Sequence, residues 1–175
     1  ICEPMINAGL ALQCHDAVVQ YSSLRLQELQ NSVVSTSREK SRVQIAENQR
    51  KTRSKSAGDV MYIVRHMALS LSKKHESDAL IGLQKWVNLT FSSLLEERQQ
   101  SAKDNPTSGP FSWITGLVHQ ADGEYEKAAA FFTHLLQTEE FLSSMGADGI
   151  QFTIERVIES YAAISDWRSL DSWLV

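Results

Sequence analysis

Apolar residues in this chain recur three and four positions apart in one segment after another, and no stretch shows the alternation of a strand. That spacing lines one face of an α-helix. Val18, Tyr21, Leu24, Leu26, Leu29 and Val33 form one such series, and Val60, Ile63, Val64, Met67 and Leu71 form another. Leu80, Leu83, Trp86, Val87, Phe91 and Leu94 continue it. The 175 residues include only 3 Pro and 8 Gly, which favours long helices over a turn-rich β architecture. The expected fold is all-α, with about seven helices in antiparallel hairpins.

Punctuation residues divide the chain. Pro4 suits the first turn of a helix, whose apolar face would be Met5, Leu10 and Leu12. His15-Asp16 reads as a turn with Asp16 as cap, and Gly58-Asp59 as a reset with Asp59 capping the next helix. Residues 1–58 are then a first hairpin with a long projecting helix, and 59–97 a second. Asp104-Asn105-Pro106 and Ser108-Gly109-Pro110 make 98–109 a mobile loop. Residues 110–146 form a third hairpin opened by Pro110, whose return helix runs from Tyr125 to Phe141. Met145 to Gly149 is a break, and 147–175 a fourth hairpin, truncated. The chain starts without Met, and Trp173-Leu174-Val175 ends it on an apolar face, so both ends are expected to be cuts through a longer protein.

The hairpins resemble one another. Gly116, Gly123, Tyr125, Ala128 and Phe132 follow the tetratricopeptide layout, in which small residues let paired helices approach and aromatics fill the groove. Tyr161, Ser165-Asp166-Trp167 and Leu170 repeat it, and Ala68, His75-Glu76-Ser77 and Leu80 give a third copy. Tyr125 and Trp167 lie 42 residues apart, longer than the ~34 of that motif, so these are degenerate repeats. Each leaves an apolar face that only a neighbour covers, which predicts an α-solenoid.

Catalytic chemistry finds little support. His15, His66, His75, His119 and His134 are scattered without metal-ligand spacing, so no metal is expected. There is no Gly-x-Ser-x-Gly elbow, and Gly146-Ala147-Asp148-Gly149 lacks the Lys of a phosphate loop. No cofactor and no catalytic residue are assigned. A formal charge of −4 argues against a general nucleic-acid binder. Arg38, Lys40, Arg42, Arg50, Lys51, Arg53 and Lys55 form one basic run, read as a solvated helix end. Two cysteines give no disulfide framework, so an intracellular compartment, cytoplasmic or nuclear, is the expectation. No apolar run reaches the ~20 residues of a membrane span.

Several runs carry a family likeness: Pro4 to His15, Arg65 to Leu69, Ala79 to Trp86, and Gly123 to Trp173. They resemble the FAT region of a phosphatidylinositol-3-kinase-related protein kinase, of the type that acts in nonsense-mediated mRNA decay. The likeness covers 2–29 and 59–175, and is poor over 30–58. It implies a helical solenoid that wraps a kinase domain, with regulatory subunits and an RNA helicase substrate as partners. The parent would be a Ser/Thr kinase using ATP and a divalent metal. No kinase motif lies in this segment, and Gly123, Tyr125, Ala128, Phe132 and Trp167 match the family only as packing residues. A stand-alone tetratricopeptide-like adaptor is the alternative. An enzyme on helices comes third, because its acidic pairs, Glu96-Glu97 and Glu139-Glu140, fall at helix ends.

Overall fold

The computed structural model describes residues 2–38, 46–95 and 110–174, with side chains described over 4–32, 57–91 and 110–174. Among the described residues there are eight helices and no strand. They are α1 (Cys2–Ala11), α2 (His15–Arg38), α3 (Ala46–Lys73), α4 (Ser77–Leu95), α5 (Ile114–Ala121), α6 (Tyr125–Gln137), α7 (Glu139–Ala163) and α8 (Trp167–Leu174). The chain is all-α, as its periodicity requires.

Each helix packs on the next in sequence, and α3 also packs on α5. Side chains extend the contacts among odd-numbered helices. Tyr62 Oη in α3 donates to Asn7 Oδ1 in α1 at 2.8 Å, and Trp113 meets Phe152 of α7 edge-on at 5.5 Å. One continuous core results. Val60 and Val64 of α3, Leu80 and Phe91 of α4, Leu117 of α5, Phe132 of α6 and Val157 of α7 are sealed in it, together with Phe111 and Trp113.

Several boundaries differ from the sequence expectation, each for a local reason. Helix α3 runs straight through Gly58 and Asp59, so Asp59 caps nothing. A mid-helix Gly costs about 1 kcal/mol, but Ala57 and Val60 are buried on either side of it. Their packing, and that of α2 on α3, outweighs the local preference. Helix α2 begins at His15, with Asp16 inside its first turn rather than at its cap. In α1 the buried apolar residue is Ile6, while Met5 and Leu12 are exposed. Pro110 opens a turn, not a helix, and α5 starts at Ile114. Helix α6 stops at Gln137, because Thr138 adopts an extended ψ of 115° and bonds back through Oγ1 to His134 O at 3.1 Å. The break expected around Gly146 is a kink inside α7, where Gly146 takes φ 65° and ψ 175°. The mobile loop expected at 98–109 lies outside the described residues.

Candidate interaction surface

Four helices, α1, α3, α5 and α7, end in the same way. Gln13, His75, Gly123 and Ser165 adopt positive φ, at 55°, 60°, 77° and 56°. Each donates its N–H to the carbonyl three residues back: Leu10, Ser72, Gln120 and Ala162, at 3.0–3.1 Å. The following residue donates to the carbonyl five back: Cys14 to Gly9, Glu76 to Leu71, Glu124 to His119 and Asp166 to Tyr161. This bond pair is the Schellman closure, which satisfies helix carbonyls that otherwise lack partners. Five residues beyond each positive-φ position stands a buried side chain: Val18, Leu80, Ala128 and Leu170. The chain thus turns back four times with one geometry.

The repeat-signature residues fall on this frame unevenly. Gly116 of α5 faces Phe132 of α6 so closely that a Cβ there would meet three ring atoms at under 3.0 Å. Ala128 and Phe132 are fully buried, Gly123 makes the turn, and Tyr125 and Tyr161 are half-buried. Leu170 is the buried residue of α8. Trp167 does not fill a groove. It is 61% exposed, since α8 packs on α7 through Leu170 and Trp167 projects from its first turn.

Polar side chains link successive turns, which the sequence reading missed. His15 Nδ1 lies 3.4 Å from Ser70 Oγ, and Lys74 pairs with Asp16 at 2.6 Å. Ser72 Oγ donates to Leu117 O at 3.3 Å, and His75 Nδ1 to Ala121 O at 2.9 Å. Gln120 Nε2 donates to Ser160 Oγ at 2.8 Å. Ser70, Ser72, Gln120 and Ser160 are buried, and these bonds are what makes that burial tolerable. The signal is present as polar residues in the last turn of α3, α5 and α7: Ser70, Ser72, Gln120 and Ser160.

A second polar group joins α3 to α7. Lys73 and Arg156 both pair with Glu159, and Arg156 also approaches Glu155 at 3.7 Å. The Phe152 ring has Arg65 at 5.5 Å and Arg156 at 5.3 Å from its centroid. Burial holds Arg65, Lys73 and Arg156 below their ordinary pKa values. Burial also pushes neighbouring His66 down to about 4, with the Arg65 charge adding to the effect.

Among the described residues no group of three His, Cys, Asp or Glu could hold a metal ion, and no helix is long and apolar enough to cross a membrane. Glu139 and Glu140 stand exposed in the first turn of α7. Glu96-Glu97 and the side chains of the basic run at 38–55 lie outside the described residues. No protein-family model, curated protein or solved structure matches the chain.

Proposed function

We propose that this chain is a non-catalytic scaffold, an α-solenoid of degenerate tetratricopeptide-like hairpins belonging to a large Ser/Thr protein kinase of nonsense-mediated mRNA decay. The observation that carries the scaffold reading is the closing turn built four times, at Gln13, His75, Gly123 and Ser165. Identical turns with a buried residue five positions on give every hairpin the same offset to its neighbour, which is how solenoids are assembled. The side-chain links between successive turns make that offset rigid. A rigid stack of this kind acts by shape, holding a catalytic domain in place and presenting surface to regulatory subunits. The kinase assignment rests on the FAT-like residue runs at 2–29 and 59–175. In that setting the parent chain binds ATP and a divalent metal elsewhere and phosphorylates an RNA helicase.

The test is a kinase assay on the full-length parent carrying Phe132→Ala, with protein level controlled. Loss of the buried ring should loosen the α5–α6 hairpin and lower helicase phosphorylation while ATP affinity stays unchanged. Full activity in a variant shown to be locally unfolded at α5–α6 would refute the kinase-supporting role. It would leave the adaptor reading, in which a partner peptide binds the stack directly.

A further inference from the structure

Where one hairpin meets the next, two side-chain contacts show the register. His15 stands two residues beyond the positive-φ residue of its turn, Gln13. Its Nδ1 lies 3.4 Å from Oγ of Ser70, which stands five residues before the next such residue, His75. Gln84 stands nine residues beyond His75 and donates to Thr115 Oγ1 at 3.2 Å, eight residues before Gly123. The even-numbered helix of one hairpin thus faces the odd-numbered helix of the following one through two defined pairs of positions.

Helices α8 and α1 leave those positions open. Two and nine residues beyond Ser165 stand Trp167 and Leu174, 61% and 62% exposed. Five and eight residues before Gln13 stand Ala8, which is exposed, and Met5, which is 57% exposed. In the other three hairpins every one of these four positions is buried or half-buried. The face of α8 is therefore the even-helix half of the repeated interface, and the face of α1 is its odd-helix half. The two halves also match in size, with a large ring opposite a small residue.

We propose that the occupant of the α8 face is a second copy of this chain, whose α1 docks there as α3 docks on α2. Trp167 then covers Ala8 of the second copy, and Leu174 covers Met5. The contact is head to tail, so each copy keeps one open face and the assembly lengthens instead of closing as a dimer. A twofold pairing of α8 with α8 is disfavoured by charge. Asp171 shares the exposed face midway between Trp167 and Leu174, so antiparallel α8 helices would bring the two Asp171 carboxylates together. The inference rests on the solenoid reading and not on the kinase assignment.

The experiment is sedimentation velocity on the chain over about 10–500 μM, the range suited to a contact smaller than a standard interface. The mean mass of the wild type should rise with concentration and pass that of a dimer. Trp167→Glu and Ala8→Glu each block one face, and each alone should stay monomeric, with an unchanged melting temperature because both positions are exposed. Mixed in equal amounts they should form a dimer and nothing larger, since each variant keeps the face that the other lacks. A wild type that stays monomeric throughout would overturn the proposal. So would an Ala8→Glu chain that dimerises by itself, which would assign the α8 face to a twofold contact. Association lost when the same residues form part of a longer protein would overturn a second copy as occupant and assign both faces to adjoining hairpins. None of these results touches the Phe132→Ala kinase assay, so failure here and failure of the scaffold role are read separately.

Discussion

Replacing Gly116 with Ala sets two effects against each other, and the structure decides which wins. Ala is the better helix former by about 1 kcal/mol, so an argument from propensity alone predicts stabilisation. The new methyl, however, would stand under 3.0 Å from three atoms of the Phe132 ring. That ring is fully buried, with Phe131 edge-on at 6.1 Å, so it has little room to retreat. Overpacking of a core costs about 1–3 kcal/mol, and three simultaneous clashes with a held ring belong near the upper figure. The net expectation is a loss of about 2 kcal/mol. For a domain of this size it corresponds to a melting temperature about 4–8 °C lower, measurable by circular dichroism. The cause is checked by Gly116→Ala with Phe132→Leu, since leucine lacks the ring atoms that clash. The double variant should lose less than the two single losses combined, with a coupling of about 1–2 kcal/mol. A Gly116→Ala protein as stable as the wild type, or more so, would refute the close approach of α5 and α6.

The shared turn predicts opposite effects for one kind of exchange. Ser165→Gly should stabilise by about 0.5–1 kcal/mol by relieving a positive φ, while Gly123→Ala should destabilise by about 1 kcal/mol, both read from urea midpoints. Acid should act through His66, whose pKa falls from 6.5 to about 4 on folding. The unfolded chain then binds the extra proton first, so stability is constant above about pH 6.5 and declines as pH falls towards 4. With the ring still partly open to solvent, the share lost is about 1–2 kcal/mol. The pH dependence of the urea midpoint should be reduced in His66→Gln.

Sequence showed the helices well and their ends poorly, and the reasons are physical. Periodicity is a property of each segment alone, so Val60, Ile63, Val64, Leu80 and Leu83 are readable without knowing their neighbours. A helix end depends on what the next element does. Gly58 looks like a stop until α2 packs alongside α3, and Thr138 looks like helix until its extended backbone sends α7 back across α6. The turns are the instructive case. Gly123 announces itself, because glycine tolerates positive φ, whereas Gln13, His75 and Ser165 adopt the same conformation without the residue that usually signals it. The repeat sets His75 and Ser165 opposite Gly123, whereas nothing in the sequence marks Gln13, and His15-Asp16 is the pair that reads as a turn.

Three non-glycine residues held at positive φ have a consequence for how the stack holds together. Each strains the backbone by about 1–2 kcal/mol, and the strain persists because the surroundings determine the turn more strongly than the residue does. At His75 the compensation is visible: its ring donates to Ala121 O, next to the following turn, while neighbouring Lys74 pairs with Asp16 beside the preceding one. The His75 turn is therefore held by its neighbours as well as by its own backbone bonds. A hairpin lifted out of the stack would lose those bonds and keep the strain. Such coupling between turns is what the proposed scaffold role requires.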